Sequence, residues 1–516
     1  MASRLAIRTY YSLLWSTITP EGLLERLSQE GVKRVAITDR DNLYGLHHLR
    51  EVAQEYSIEI LVGAELTSPL GSLLAFVTSK EGFSNLTRLL SAKKMEEEFD
   101  LLASLGEYSG GLIFASLSPA VLKEVAGEVE HLYAGVSPTN FAAVSTARSL
   151  TLPLLALDDA SLLSKEEVGA ERVLRAIGEG TTVGLLQGES GEVLLPLERY
   201  LEAHSGWPEA LGNSEAVAEL CSGLPLFEEL AFPDYPNSHA ELRKRVYSGA
   251  EKRYGELSDA ILSRLEYELE VITSKGFAPY FLTLSDIVAL ASRTCGRGSG
   301  AASLVAYSLS ITNVDPLLHN LYFERFLNKE RQDPPDLDVD FAWDERDGVL
   351  EATMGLFVEG HCARVANHNR FRRRSALRET LRVYGYTTLP EGTLGEEIVA
   401  IASFLEGFPH HLSLHCGGLV VTPKPINHYA PVEYSAEGYP LLGWEKEGCE
   451  AAGLVKIDLL GNRSLAVVRD ALANLAALGE AIDERCWSPI EDKATQEALA
   501  RGDSMGVFYL ESPAMR

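Results

Sequence analysis

The segment Pro334-Pro-Asp-Leu-Asp-Val-Asp-Phe341 alternates acidic with apolar residues, and that alternation leaves it few structures to adopt. Side chains of a strand point to opposite faces in turn, so Asp336, Asp338 and Asp340 project together while Leu337, Val339 and Phe341 enter a core behind them. Three carboxylates on one face repel unless cations or bulk water screen them. Hard oxygen ligands of this kind suit Mg²⁺; the competing reading is a solvated acidic strand edge. An EF-hand loop is excluded, because counting from Asp336 its obligatory glycine position holds Phe341 and its closing glutamate position holds Asp347.

A second segment, Gly453-Leu-Val-Lys-Ile-Asp-Leu-Leu460, has the same alternation. Lys456 and Asp458 share one face, and Val455, Ile457 and Leu459 share the other. A charge at the centre of a buried-strand pattern calls for a partner, either a metal ion or an ordinary ion pair between Lys456 and an aspartate. Brought together, an Asp-x-Asp strand and one further Asp on a neighbouring strand make the carboxylate set of two-metal phosphoryl or nucleotidyl transfer. One ion there activates the attacking hydroxyl and the other steadies the leaving group.

Upstream, Gly296-Arg-Gly-Ser-Gly-Ala-Ala-Ser303 precedes a helical run from Leu304 to Leu309. Small residues let the backbone approach a ligand, and a helix amino terminus offers N–H groups to phosphate; the alternative is a packing turn. Neither a Walker A loop nor a dinucleotide fingerprint is present, since the first needs G-K-[ST] and the second ends here in Ala301. Between the two acidic segments, Arg364 to Arg382 holds seven arginines and one acid. That stretch is either a surface for a phosphate backbone or a solvated helix face with acidic neighbours.

A chain of 516 residues exceeds one hydrophobic core and implies several packed units. The formal net charge of −28 excludes coating nucleic acid by overall electrostatics, so any DNA partner needs a local basic cleft. No apolar run approaches the ~20 residues that cross a bilayer, and the start lacks a signal-peptide layout; a cytoplasmic protein without membrane association is expected. The six cysteines form no C-x-x-C pair and read as reduced thiols. Over the first 230 residues, short apolar runs (Arg34 to Thr38, Ile60 to Val62, Leu73 to Val77, Leu112 to Ala115) alternate with amphipathic stretches, which predicts βα units around a parallel sheet or barrel. Phe232 to His239 reads as a linker, and Ala240 to Ser274 as helical.

The order of these motifs is similar to that in the bacterial DNA polymerase III α subunit, a C-family DNA polymerase. The resemblance rests on Arg264-Leu-Glu-Tyr-Glu-Leu-Glu270, Gly276-Phe with Tyr280-Phe281, Gly296-Arg-Gly-Ser299, Ser303-Leu-Val-Ala-Tyr307, Phe323-Glu-Arg-Phe-Leu-Asn328 and Pro335-Asp-Leu-Asp-Val-Asp-Phe341, then His415-Cys-Gly-Gly418, Gly453 to Gly461 and Val507-Phe-Tyr-Leu-Glu-Ser512. It implies an α/β multidomain protein: a degenerate PHP (β/α) barrel over 1–230, linker helices and the first part of a DNA polymerase beta-like nucleotidyltransferase palm over 231–365, a helical thumb insertion over 366–412, the second part of the palm over 413–465, and the start of fingers over 466–516. It implies template-directed DNA synthesis from dNTP, in replication or error-prone repair. Asp338, Asp340 and Asp458 match the ligands of two Mg²⁺, with Asp336 in support. Arg297, Gly298 and Ser299 match the triphosphate motif, and Lys456 and His415 fall at positions near the active site. The thumb arginines Arg370, Arg372, Arg373, Arg374 and Arg378 would grip primer-template DNA, and other polymerase subunits are possible partners. The wording of the arginine stretch and of His410-His-Leu-Ser-Leu-His415 is closer to error-prone relatives.

The amino-terminal region departs from the family's metal-dependent phosphoesterase pattern. The H-x-H pair aligns with Ala6 and Arg8, T-D-H reads Thr38-Asp39-Arg40, and N-D-x-H reads Leu157-Asp158-Asp159-Ala160-Ser161. Asp39, Glu65 and Asp159 remain without the imidazoles, and an arginine cannot ligate a cation. A metal-free, silent barrel is expected, and phosphoesterase action would need metal in residues 1–230. Because family members continue into further fingers, a clamp-binding segment and an OB-fold, a second reading is a DNA-binding or assembly fragment without catalysis.

Overall fold

The computed structural model describes residues 3–188, 190–330, 337–484, 490–507 and 510–516. Asp336 with the two prolines before it, Cys486, and Phe508 and Tyr509 lie outside the described residues. The chain divides into two compact units, residues 1–232 with 357–456 and residues 233–356 with 457–516.

In the first unit, the short apolar runs become strands β1 (Ser3–Ile7), β2 (Arg34–Ile37), β3 (Glu59–Ser68), β4 (Gly71–Val77), β5 (Leu112–Ser116), β6 (Leu132–Val136), β7 (Leu154–Ala156), β8 (Ala160–Leu162) and β9 (Glu192–Val193). They form one sheet in the order β7-β6-β5-β4-β3-β2-β1-β8-β9. The expected alternation with helices holds, whereas the expected all-parallel pairing does not. Strand β4 runs antiparallel to both β3 and β5. Only Pro69 and Leu70 join β3 to β4, too short a connection for the crossover that a parallel pair requires. Helices start where a small polar side chain takes up an otherwise unpaired backbone N–H, as Thr19, Ser79, Asp100 and Ser118 do.

The remaining strands are β10 (Thr294–Gly296), β11 (Val339–Ala342), β12 (Cys362–Arg370), β13 (Pro409–Val421), β14 (Val432–Tyr434), β15 (Pro440–Leu442) and β16 (Lys456–Asn462). Within the first unit β13, β12, β15 and β14 are neighbours in that order, and the helices Arg373–Val383 and Thr393–Phe404 are inserted between β12 and β13. This second sheet of the unit is anchored on the first by Trp444. Its ring is buried, and its indole N–H donates to the Leu43 carbonyl at 2.9 Å, which satisfies the one polar atom that burial would otherwise strand.

The second unit opens with helices Ser238–Tyr254, Asp259–Ser274 and Ala278–Val288. The helical stretch read from Ala240 to Ser274 is broken once. Gly255 takes a left-handed φ of 75° and ends the first helix, and Ser258 caps the next. Phe277, Phe281, Phe323 and Phe326 fill the core between these helices. Among the described residues no helix is long and apolar enough to cross a membrane, and the five described cysteines are free thiols.

Candidate active site

The chemistry read from the sequence gathers in the second unit through strand pairing. Strands β11 and β16 are parallel, with Val339 beside Leu459, Asp340 beside Leu460 and Phe341 beside Gly461. Val339, Phe341, Ile457 and Leu459 are buried to the last per cent, so the apolar faces of both strands enter one core and the carboxylates share the opposite face. Carried back one residue, the register sets Asp338 next to Asp458, at the ~4.8 Å spacing of adjacent strands.

On the other side of β11, β10 runs antiparallel and pairs Gly296 with Val339. The ladder continues through the Arg297 N–H, which donates to the Asp338 carbonyl at 3.1 Å. Two motifs forty residues apart in the chain therefore stand side by side. The guanidinium of Arg297 lies against the acids, its Nε 3.2 Å from Asp340 Oδ1 and an Nη 3.7 Å from Asp338 Oδ2. The second oxygen of Asp340 accepts from Asn462 Nδ2 at 2.8 Å, while Asn462 Oδ1 accepts the Ser464 N–H and caps the helix Arg463–Ala477. Asn462 went unnoticed in the sequence; its place at the end of β16, just ahead of a helix, is the signal that could have found it.

The glycine turn is built by close approach. A Cβ at Gly296 would lie 2.3 Å from the Ile311 carbonyl oxygen, one at Gly300 would lie 2.4 Å from the Leu337 side chain, and Gly298 has φ of 67°. Gly298 and Ser299 are exposed. The helix Leu304–Ser308 behind them is not the open phosphate cradle that its position suggests. Glu268, wholly buried, accepts the N–H groups of Leu304 and Val305 at 3.0 Å each and the Ser303 hydroxyl at 2.9 Å, and it is bridged by Arg264 at 2.6 Å. Burial pushes its carboxyl above the usual range against these donors. Glu268 thus fixes the turn from behind and leaves residues 297–299 as its exposed part. The sequence hid this role inside the Arg264 to Glu270 helix, where Arg264 and Glu268 look like an ordinary i,i+4 pair.

Among the described residues, no three His, Cys, Asp or Glu side chains converge closely enough to hold a metal ion where they now stand. Arg297 is a cation lying on this carboxylate face. The donor set nevertheless suits a hard divalent ion: oxygen ligands only, from two adjacent strands, already drawn toward a positive charge. The Arg297 side chain is 51% exposed and can swing off the acids without unpacking a core.

Residues 240–392 and 388–461 match the model of the bacterial DNA polymerase III alpha NTPase domain, and residues 5–156 match that of the PHP domain. The chain carries a PHP domain followed by a domain of the bacterial DNA polymerase III alpha family. It is 30% identical to an error-prone DNA polymerase of Symbiobacterium thermophilum, over 99% of this chain and 55% of that protein. It is 30% identical to an error-prone DNA polymerase of Mycobacterium tuberculosis H37Rv, over 98% of this chain and 53% of that protein. A DNA polymerase III subunit alpha of Pseudomonas fluorescens is 27% identical, over 99% and 52%. The chain spans about half the length of the curated relatives it matches.

The other residues singled out from the polymerase III alpha resemblance lie in the first unit. Lys456 begins β16. His415 sits in β13, where its Nδ1 accepts the Gly418 N–H at 2.9 Å. Arg370 donates to the hydroxyls of Tyr10 and Tyr11 and to the Gly407 carbonyl, each at 3.1 Å, so it braces β12 against the PHP domain and is not an idle cation. Arg378 is paired with Glu379. Arg372, Arg373 and Arg374 are exposed and make no ion pair among the described residues; they crowd the first turn of the helix Arg373–Val383, where the helix dipole disfavours positive charge.

In the PHP domain, Arg8 occupies the space between the surviving acids. It pairs with Glu65 and, at 2.8 Å, with Asp159. Asp39 turns instead to the Thr9 N–H at 2.7 Å and the Ser12 hydroxyl at 2.8 Å, and burial pushes its carboxyl up to about 6 against those bonds. Arg40, the other cation in the aligned motifs, lies over the Trp15 ring at 3.7 Å and 3.7 Å from Glu65.

Proposed function

We propose that the second unit carries the nucleotidyl-transfer site of a DNA-directed DNA polymerase. In this reading Asp338, Asp340 and Asp458 hold Mg²⁺, residues 297–299 hold the dNTP triphosphate, and the arginines at 372–374 hold the phosphate backbone of primer-template DNA. The observation that supports it most is the register of β10, β11 and β16, which brings the glycine turn, the Asp-x-Asp pair and Asp458 to one face. Magnesium, when bound, supplies the positive charge that activates the primer hydroxyl and neutralises the triphosphate. The chain's own residues do the positioning. Asn462 keeps Asp340 in one rotamer, Glu268 holds the turn rigid, and Arg297 leaves the acids for the triphosphate, so the site stays neutralised before and after loading. The PHP domain is read as metal-free and catalytically silent, with Arg8 in place of the metal.

The test is Asp340→Asn in an enzyme of the relatives' full length, followed by Mg²⁺-dependent primer extension, with Mn²⁺ binding to the present chain read by electron paramagnetic resonance. Extension and ion binding should both be lost. Undiminished extension by the variant would end the assignment.

A further inference from the structure

A second polar site lies in the first unit, between the helix Lys80–Met95 and the turn Ile426–His428, in a cavity of about 540 Å³. Its floor is basic. Arg88 contacts His428 Nδ1 through its guanidinium, and the Lys424 ammonium lies 3.5 Å from His428 Nε2. Guanidinium and ammonium groups only donate, and a neutral imidazole accepts at one nitrogen alone. Burial and the two cations push His428 down to about 4, so the ring is neutral near pH 7. With Nδ1 accepting from Arg88, the N–H on Nε2 faces the ammonium, donor against donor. Ser84, one turn before Arg88, also lines the cavity, and its hydroxyl is buried without a hydrogen-bond partner. Among the described residues no carboxylate lies within the 4.0 Å of an ion pair from Arg88 or Lys424. Of the acids along the rim, Glu229 is paired with Lys80 at 3.4 Å. The arrangement is held in place, since the Thr87 hydroxyl donates to the Asn427 carbonyl at 2.7 Å and ties the helix to the turn.

Two cations, an imidazole N–H and an unpartnered hydroxyl turn toward one space, and together they suit an oxyanion. The cavity is much larger than a free anion needs; Phe83, Phe227 and Tyr429 give part of its remaining wall an apolar, aromatic face, and Glu81, Glu228 and Glu229 also line it. We infer that this cavity binds a phosphate group, with its oxygens on Arg88, Lys424, His428 and Ser84, and that it has room for the organic body of a phosphate monoester such as a nucleotide against the aromatic wall. The site shares no residue with the carboxylate face, so it stands or falls independently of the polymerase reading.

The test titrates the present chain with inorganic phosphate and, separately, with dAMP at constant ionic strength and pH 7, following the His428 ring by NMR, its signal assigned with His428→Gln. A saturable shift of that signal is expected. Tighter binding of dAMP marks a nucleotide site and equal binding marks a site for the free anion; both support the inference. Lys424 is exposed, so Lys424→Ala should fold, and losing one charge-assisted contact should weaken binding about tenfold. Arg88→Gln should weaken it at least as much. No saturable shift with either ligand, or affinities unchanged in both variants, would overturn the inference.

Discussion

Replacing Arg8 by alanine tests whether a guanidinium does structural work where relatives of the PHP type carry metal ligands. Arg8 is nearly buried, with side-chain exposures of 11% for itself, 5% for Glu65 and 19% for Asp159. Removing it leaves two carboxylates facing each other, with Arg40, 3.7 Å from Glu65, still beside one of them. Breaking a buried ion pair from one side costs ~3–5 kcal/mol; the partial exposure of Asp159 places this site near ~3 kcal/mol, or about 6–12 °C of melting temperature at about 2–4 °C per kcal/mol. The pH dependence identifies the cause. Burial pushes Glu65 up and Arg8 outweighs it, so its carboxyl is held below the ordinary 4.5. A depressed carboxyl contributes stability above its unfolded value and loses it as pH falls. In Arg8→Ala the same carboxyl keeps only the weaker pull of Arg40 and Ser72 against its desolvation, so it titrates upward and gains stability on protonation. The gap between wild type and variant should therefore be full at pH 7 and shrink as the pH approaches 4.5, as measured by calorimetric melting. Arg8→His adds a second reading, since an imidazole beside Asp39, Glu65 and Asp159 makes a plausible zinc ligand set; its melting temperature should rise with added Zn²⁺ while the wild type's does not. A variant that melts with the wild type at every pH would refute the reasoning.

Three further outcomes follow from the same geometry. Asp39 sits in the folded chain at about 6, above its ordinary 3.8, so its ionised form costs stability near pH 7 and that cost disappears as pH falls; the melting temperature of wild type relative to Asp39→Asn should rise between pH 7 and pH 5. The combined change of Arg372, Arg373 and Arg374 to alanine should weaken primer-template binding and lower the salt slope of the affinity by about three, while the relieved helix terminus raises the melting temperature slightly; fluorescence anisotropy across a salt series checks both the affinity and the slope. Glu268→Gln keeps the shape but loses the charge that accepts two amides and Arg264, and should cost ~2 kcal/mol of stability and loosen triphosphate binding, read by calorimetry.

The parts of the fold that the sequence revealed were those set by local periodicity. Runs such as Leu73 to Val77 and Leu112 to Ala115 became strands because β-branched and apolar residues bounded by turn formers have little else to do. The direction of β4 was missed because periodicity says nothing of orientation, while the two-residue connection after Ser68 does. The break at Gly255 was missed for a different reason: the apolar period continues on both sides of it, and only the left-handed conformation of one glycine interrupts the helix.

At the candidate site, residue type and spacing identified the carboxylates, because alternation on a strand fixes a face without any knowledge of the partner strand. What they could not supply was the neighbour's register, and that register decides whether Asp458 stands beside Asp338 or two residues away from it. Nor could they supply the counter-charge. Arg297 was read as a triphosphate residue from the family resemblance, and in this chain it lies on Asp340. The two positions are compatible, because both are demanded by one electrostatic condition. A face with three acids is less costly with a cation beside it, and in the polymerase reading a flexible arginine on the adjoining turn can leave when a divalent ion arrives and then meet the negative ligand the ion brings with it. Arg297→Ala should accordingly separate the two roles: poorer stability without divalent ion, regained with Mn²⁺, and poorer triphosphate binding that Mn²⁺ does not regain. Loss of both together, with no recovery of stability, would place Arg297 in the fold alone.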